Sequence, residues 1–228
     1  NLLPQDYPLE RLLGLVETSI GKMVPIMREA DLKKDPLQVF AESYNTLILD
    51  AKGFKNPVPD VKGLASKENI KAWVDRKLFI HNLGHVATAY LGYMYNPDYT
   101  YLYEVLENQQ IRKNVRETMQ QAADILLAKY PGEFTQADLN EHIDDLLERF
   151  KNKYLGDTIY RVGCDLPRKL SSQDRLFGAI KIAVELKLPY DKILFVLACG
   201  TFFRAQDQNG GKLPQDIHFE KVFNEITD

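Results

Sequence analysis

Three polar side chains of the types that assist proton transfer lie close together in the first half of this sequence: Lys77, Asn82 and His85. They fall in a run of helical character that extends from about residue 67 to residue 95. An α-helix turns roughly 100° per residue, which places His85 roughly 80° and Asn82 roughly 140° from Lys77 on the helical wheel. An amine, an amide and an imidazole are therefore predicted to share one face. A lysine that faces partly inward is a candidate general base, because desolvation lowers the pKa of its amine.

A structural interpretation of the same residues also stands. Most Lys, Asn and His residues on helices are surface residues or hydrogen-bonded core residues, and short motifs are weak evidence for chemistry. His81, one turn beyond Lys77, is predicted to be structural. Apolar bulk around the helix comes from Leu78, Phe79, Leu83, Val86 and Tyr90. Residue types and spacing therefore leave proton transfer and simple packing both open.

A second group of residues with binding chemistry lies further along the chain. Four cations fall within a stretch that reads as a loop and a helix: Arg161, Arg168, Lys169 and Arg175. Arginine presents a planar fork that suits bidentate phosphate binding. The alternative is a basic loop in water, paired with the acidic residues at 144–148. Residue types alone favour this alternative, because exposed charge clusters are usually solvated.

Both regions resemble, in the same order, the polyol-specific long-chain dehydrogenases. The pattern Lys-x4-Asn-x2-His, formed by Lys77, Asn82 and His85, is similar to the signature of that family. The longer strings at residues 76–92 and 149–176 are similar to its mannitol-1-phosphate 5-dehydrogenase branch. The resemblance covers roughly residues 16 to 204 of the sequence. Lys153 stands where the branch often has proline and Val86 where it often has alanine, and neither touches a residue with an implied catalytic role.

The resemblance implies a role for each residue of the trio. Lys77 is implied as the general acid/base, with burial and nearby cations such as Arg76 lowering its pKa from about 10.4. Asn82 and His85 are implied to hydrogen-bond the reacting oxygen or its neighbour. They would thereby stabilise alkoxide character in the transition state.

Substrate binding is implied for the basic stretch. Arg161 and Lys169 match substrate-contacting positions of the wider family. The wording Pro-Arg-Lys-Leu at residues 167–170 looks like the branch that acts on sugar phosphates, which adds Arg168 as a candidate. The implied function is an NAD-dependent dehydrogenase that interconverts mannitol 1-phosphate and fructose 6-phosphate. A related free-polyol or hexuronate oxidoreductase and a non-catalytic helical interaction module are the alternatives.

The cofactor is not expected to be held by this sequence. It contains no Gly-x-Gly-x-x-Gly between a strand and a helix, the arrangement that places pyrophosphate on a helix N-terminus. We therefore expect the chain to be the carboxy-terminal substrate domain, with NAD bound mainly by an upstream Rossmann domain of the same polypeptide. As a fragment it is expected to be inactive alone. The family needs no metal, and the four histidines lack zinc spacing.

Composition excludes several other classes of protein. The 228 residues are 45% hydrophobic and 27% charged, with a formal net charge of -3, so a nucleic-acid partner is not expected. The longest apolar runs are too short to span a bilayer. Cys164 and Cys199 have no metal-ligand spacing and are interpreted as reduced thiols of a cytoplasmic protein. His142 and His218 lie in polar settings and are predicted to be surface residues.

The elements that must position these residues are predicted to be mainly helical. The expected fold is a multi-helical substrate domain with a small β portion near the N-terminus, similar to the C-terminal-like domains of 6-phosphogluconate dehydrogenase. Residues 1–60 are interpreted as the tail of the cofactor domain and a connector, and residues 61–228 as the helical domain. Ser66 is the predicted cap of the motif helix. Helical spacing also marks residues 9–20, strand composition marks 39–50, and further helices are predicted over residues 102–130, 136–150, 171–187, 189–205 and 214–226.

Overall fold

Helices form most of the part of the chain that the computed structural model describes, residues 4, 6–25, 27 and 29–227. A sheet of three short strands lies near the N-terminus: β1 (Thr18–Ile20), β2 (Leu47–Asp50) and β3 (Leu64–Lys67). The strand order is β1-β2-β3, with β1 antiparallel and β3 parallel to β2. The fold class predicted from the sequence, mainly α with a small β portion near the N-terminus, is therefore confirmed.

The elements of the N-terminal region are shorter than their sequence patterns predicted. Helix α1 covers only Leu9–Leu12, and α2 covers Glu29–Lys34. Beyond α1 the chain runs against the 3₁₀ turn Ala51–Gly53, where a Cβ on Gly14 would lie 2.3 Å from the carbonyl oxygen of Gly53. Of the region 39–50 that was predicted to form strands, only residues 47–50 do so, as β2. This segment lies between β1 and β3 and forms hydrogen bonds with both. Strand composition without a neighbouring strand is not sufficient for a strand.

The motif helix is continuous from residue 70 to residue 95 but changes its winding inside. It consists of α3 (Ile70–Arg76), a π-helical turn (Lys77–Asn82) and α4 (Leu83–Tyr95). The predicted cap by Ser66 is wrong, because Ser66 pairs with Leu49 in the sheet. Asn69 occupies the N-cap position and makes no side-chain capping bond. The helix is anchored by packing instead, with α4 against the helices Gln109–Lys129 and Ile159–Gly163.

The next predicted helix is interrupted by a capping residue. The structure divides it into α5 (Leu102–Glu107) and α6 (Gln109–Lys129). Asn108 separates them, and its Oδ1 accepts hydrogen bonds from the amides of Gln110 at 3.0 Å and Ile111 at 3.2 Å. Helix α7 (Gln136–Phe150) has the bounds that the sequence predicted and begins with a capping box at Thr135.

Shorter helices complete the chain. Their bounds are α8 (Ile159–Gly163), α9 (Leu166–Lys169), α10 (Phe177–Leu186), α11 (Asp191–Thr201) and α12 (Pro214–Thr227). The helix predicted over residues 171–187 begins later, because residues 171–176 form turns. In the ranges that the structure describes, no helix combines the length and apolarity that crossing a membrane requires.

A buried ion pair attaches the N-terminal segment to the helical part. Arg149, at the end of α7, donates from Nε to Glu42 Oε2 at 2.9 Å, and its side chain is 11% exposed. Glu42 also accepts the amide of Met23 at 2.6 Å. The domain boundary predicted at residue 60 stays a prediction. Strands β2 and β3 lie on either side of it and are paired.

Candidate active site

Lys77 lies at the first position of the π-helical turn and lines a small cleft between the motif helix, the sheet and α7. The cleft has a volume of about 10 Å³, which is room for about one water molecule. Its lining includes Ser19, Tyr44, Arg76, His81, His142 and Arg149. Within the described part of the chain, the amine of Lys77 forms no ion pair with a carboxylate.

Burial lowers the pKa of Lys77 below its ordinary value of 10.5. The half-buried amine has lost part of its hydration, which disfavours the charged form. The contribution expected from Arg76 is not seen. That guanidinium lies over the indole of Trp73 instead, 4.3 Å from the ring centroid. The lowered pKa makes a larger fraction of the Lys77 amine neutral at a given pH, and desolvation is the physical cause.

The π-helical turn changes how Lys77, Asn82 and His85 are arranged around the helix. In a π-helix each hydrogen bond spans five residues, so each residue turns by less than the roughly 100° of an α-helix. The whole turn separates Asn82 from Lys77, and their angular separation is therefore smaller than the roughly 140° predicted for an α-helix. The Asn82 carbonyl accepts a hydrogen bond from Arg175 Nη1 at 3.4 Å. Such turns are frequent at functional sites.

His85 contacts a residue that the sequence analysis did not identify. Its Nε2 lies 3.0 Å from Oδ2 of Asp157, whose side chain is only 4% exposed. The imidazole also stacks on Phe150, with ring centroids 4.8 Å apart. Burial and the nearby charges of Arg161, Arg175 and Lys169 lower the pKa of His85 to about 3. The ring is therefore neutral near pH 7, and its Nε2 shares a hydrogen bond with the Asp157 carboxylate.

Asp157 joins His85 to Arg161. Its Oδ1 pairs with Arg161 Nη2, while Oδ2 receives the imidazole. Thr158 caps α8 by accepting a hydrogen bond from the Arg161 amide at 3.1 Å, which fixes the backbone position from which the Arg161 side chain extends. Among buried side-chain nitrogens and oxygens of the described residues, Arg161 Nε is the one without a hydrogen-bond partner. The only sequence signal for Asp157 was that it lies four residues before Arg161, next to the N-cap of α8.

The other cations of the basic stretch separate into buried and exposed residues. Lys169 is buried and donates to the carbonyl of Val162 at 2.7 Å, and burial lowers its pKa to about 8. Arg168 is exposed and is held by Asp165 at 2.5 Å and Asp174 at 3.4 Å. Lys169 thus lies on the His85 side of the stretch, while Arg168 already has carboxylate partners.

The alternative that paired this basic stretch with the acidic residues 144–148 is wrong. Those carboxylates pair with arginines of α6 and α7 instead. The pairs are Asp144 with Arg116 at 2.8 Å, Asp145 with Arg149 at 3.2 Å and Glu148 with Arg112 at 2.5 Å. The cations around His85 are therefore not explained by that acidic surface.

The remaining histidines differ in their surroundings. His81 is buried, with its ring centroid 5.7 Å from that of Phe150 and 6.3 Å from that of His85. Its pKa is lowered to about 2 by burial and by nearby groups that include His85 and Lys77, so it lies between the two halves of the site. His142 was predicted to be a surface residue, and this is wrong: it lines the Lys77 cleft, and burial lowers its pKa to about 3. His218 is exposed.

No metal centre is present among the described residues in the form of three or more clustered His, Cys, Asp or Glu side chains. Cys164 and Cys199 are both free thiols. The candidate site thus consists of a lysine cleft and a neighbouring cluster in which His85, Asp157 and Arg161 are bonded in series. Lys169 and Arg175 add positive charge to that cluster.

Comparison with known proteins identifies a family and a fold. Residues 69–227 match the family model of the mannitol dehydrogenase C-terminal domain. A D-sorbitol dehydrogenase in substrate-free form is similar over 87% of this chain and 41% of its own, with a TM-score of 0.68 and 21% identity. Mannitol 2-dehydrogenase from Pseudomonas fluorescens, in a ternary complex with NAD and D-mannitol, is similar over 91% of this chain and 44% of its own. Its TM-score is 0.71 and its sequence identity is 20%.

A more distant enzyme has a related fold. Ketopantoate reductase from Staphylococcus aureus is similar over 86% of this chain and 63% of its own, with a TM-score of 0.51 and 14% identity. This chain spans less than half the length of the two polyol dehydrogenases. At these identities the likeness concerns the fold.

Proposed function

The chain belongs to the mannitol dehydrogenase C-terminal domain family, and from this premise we propose that it is the substrate-binding and proton-transferring part of an NAD-dependent polyol-phosphate dehydrogenase. The proposed reaction interconverts mannitol 1-phosphate and fructose 6-phosphate in the cytoplasm. The observation that carries the proposal is the half-buried Lys77 amine, whose pKa is lowered. It lies on the same helix as His85, and the charges of Arg161, Lys169 and Arg175 act on that imidazole.

Lys77 acts as the general base during polyol oxidation. Its neutral amine takes the proton of the reacting hydroxyl, and in ketose reduction the ammonium returns that proton. Desolvation makes the neutral form available nearer to physiological pH, which is the requirement for this role. Asn82 offers its side-chain amide to the reacting oxygen, and its position at the end of the π-helical turn brings it towards the Lys77 side of the helix.

The described residues do not fit a dinucleotide site of their own. The one parallel strand pair, β2 and β3, is joined by residues 51–63, which contain a 3₁₀ turn but no glycine-rich turn leading into a helix. We therefore assign NAD binding mainly to a Rossmann domain of the same polypeptide outside this sequence. NAD held by that domain would supply the hydride acceptor. The contribution of this chain is confined to the proton and the substrate.

Arg161 and Lys169 bind the substrate in this proposal. The unpartnered Nε of Arg161 is a free donor, and Lys169 has only one carbonyl partner for three N–H donors. A phosphate would satisfy both side chains with charge-assisted hydrogen bonds. Arg168 contributes only if phosphate displaces Asp165 or Asp174, its present partners.

A free polyol is the second candidate substrate. The observation in its favour is that two of the three proposed phosphate ligands, Arg161 and Arg168, already have carboxylate partners. A site whose cations are compensated in this way can hydrogen-bond hydroxyl groups without needing an anionic ligand.

The substrate is tested with the full-length protein by following NADH absorbance with fructose 6-phosphate and, separately, with fructose. Oxidation only with the phosphorylated sugar supports the proposal. Oxidation with fructose alone keeps the proton-transfer role of Lys77 and contradicts phosphate binding. Activity with neither sugar, but with a hexuronate, points to the third enzyme class, and no activity with any of them favours a non-catalytic helical module.

The role of Lys77 is tested by Lys77→Ala with Lys113→Ala as the matched control, since Lys113 is an exposed lysine on α6. We expect Lys77→Ala to lower kcat by at least about 10²-fold, the lower end of general acid–base contributions, while the control keeps wild-type kcat. In the wild type the rate of polyol oxidation should rise with pH to a plateau, because the Lys77 amine must lose its proton before it can act as the base. The midpoint should lie below 10.5, the ordinary pKa of lysine. An active Lys77→Ala variant contradicts the assignment.

A further inference from the structure

We propose that Asp157 is a positioning residue that fixes the tautomer of His85 and the direction of the Arg161 guanidinium. Its carboxylate forms the only connection between these two side chains that the described residues provide. The two residues it joins lie on α4 and α8, which are distant in the sequence. The inference rests on the proposed function in one respect, namely that a substrate hydroxyl meets the free nitrogen of His85.

The backbone of Asp157 is held rigidly before its side chain makes any contact. Its carbonyl accepts the amide of Leu102 at 3.0 Å, and the amide of Ile159 donates to the carbonyl of Thr100 at 2.8 Å. Tyr101 and Thr158 form an isolated β-bridge between the same two segments. The loop before α5 and the start of α8 therefore fix the position from which the buried carboxylate reaches His85.

The hydrogen bond to Asp157 determines where His85 carries its proton. An ionised carboxylate has acceptor oxygens only, so the imidazole nitrogen that faces it must be the donor. That nitrogen is Nε2, 3.0 Å from Oδ2. In a neutral imidazole the other nitrogen, Nδ1, then carries a lone pair and accepts hydrogen bonds. Stacking on Phe150 at 4.8 Å fixes the plane of the ring.

This tautomer gives His85 a specific task. Its Nδ1 accepts a hydrogen bond from a substrate hydroxyl and orients it, rather than donating to a developing alkoxide. The donor role at the reacting oxygen is left to the amide of Asn82. The same carboxylate holds Nη2 of Arg161, and the buried Nε of that guanidinium has no partner.

Replacing Asp157 by asparagine separates this role from simple packing. The two side chains have nearly the same shape, but an amide offers one acceptor and one donor end. Arg161 can only donate, so the amide oxygen turns to Arg161 and the amide nitrogen turns to His85. Nε2 must then accept, and the proton of His85 moves to Nδ1. Asp157→Asn therefore inverts the tautomer without emptying the space.

The experiment is nitrogen NMR of the full chain labelled with ¹⁵N only in histidine, without substrate or NAD. Histidine labelling keeps the signals few, and His85→Gln assigns the pair that belongs to His85. The wild type should show His85 with the proton on Nε2, and Asp157→Asn should show it on Nδ1. Asp157→Glu, which keeps an acceptor-only group, should retain Nε2–H.

Asp75→Asn is the matched control. Asp75 is also a buried carboxylate, 1% exposed, but its partners are Lys71, Lys129 and Tyr130. This variant should leave the His85 signals unchanged. In the full-length enzyme, Asp157→Asn should lower kcat by about 10²-fold, as misorientation of a substrate-positioning group does.

A wild-type His85 that carries its proton on Nδ1 overturns the proposal, and this result needs no variant to fold. A folded Asp157→Asn protein with an unchanged tautomer also overturns it. Because the tautomer is observed without turnover, a failed enzyme assay would count against the proposed function and leave the assignment of Asp157 standing.

Discussion

Substitution of Arg161 or Lys169 should weaken substrate binding, whereas substitution of a surface cation should not. Losing a charge-assisted hydrogen bond to phosphate costs about 1.5–3 kcal/mol, so Arg161→Gln and Lys169→Met should each raise KM for fructose 6-phosphate by roughly 10- to 100-fold. The KM for NADH should change little, because neither residue is assigned to the nucleotide. Steady-state kinetics of the full-length enzyme measure both values.

Arg116→Gln is the control for these substitutions. Arg116 is an arginine paired with a carboxylate, Asp144, on the surface of α6 and α7, and its loss should leave both KM values unchanged. Arg168→Gln shows whether the pairs with Asp165 and Asp174 open when phosphate binds. Equal weakening of substrate and nucleotide by Arg161→Gln and Lys169→Met would contradict a phosphate role.

At the scale of the element, α8 depends on one capping residue to present Arg161. The helix has five residues, and Thr158 satisfies the amide of Arg161 itself. Thr158→Ala should lower the free energy of unfolding by about 1 kcal/mol, as loss of an N-cap does, and should raise KM for the sugar substrate as well. Urea unfolding and steady-state kinetics measure the two effects.

Thr135→Ala provides the comparison for that prediction. Thr135 caps α7 through an equivalent bond, from the amide of Asp138 at 3.1 Å, but α7 presents none of the proposed substrate ligands at its start. Its loss should lower stability by a similar amount and leave KM unchanged. If both variants raise KM equally, the cap of α8 has no special relation to the site.

At the scale of the whole molecule, three histidines are held as neutral groups, His81 buried and His85 and His142 partly buried. The pKa values of His81, His85 and His142 are lowered from 6.5 to about 2, 3 and 3, with burial as the largest cause. Between pH 6.5 and pH 3 the unfolded chain binds protons that the folded chain excludes. Stability is therefore complete above pH 6.5 and is lost as the pH falls through this window.

The expected loss approaches ~1.4 kcal/mol per pH unit for each of these histidines once the pH is well below 6.5. Urea unfolding between pH 7 and pH 4.5 measures the slope, in a range above the ordinary pKa of aspartate. His142→Gln should reduce the slope, and His218→Gln, which changes an exposed residue, should leave it unchanged. A free energy of unfolding that is constant over this range would show that the histidines are not held as neutral groups.

Much of the fold and part of the site could be predicted from the sequence. Apolar spacing identified the motif helix and α7, because apolar residues that recur at helical spacing lie on one face. Lys77, Asn82 and His85 were assigned to one helix for the same reason, and the resemblance to the polyol dehydrogenases agreed with the family found. These features depend on neighbours along the chain, which periodicity and local hydrogen bonding determine.

Only the tertiary structure decided which side chains meet. Asp157 contacts His85 across 72 positions of the sequence, and His142 reaches the Lys77 cleft from α7, so no local pattern could reveal either contact. The π-helical turn likewise depends on surroundings, since Arg175 compensates the carbonyl of Asn82 from a distant segment. Burial, which shifts the pKa values of Lys77 and His85, exists only once these segments are packed together. The sequence by itself therefore determined the chemical groups and the helix that carries them, and packing decided their partners and their charge.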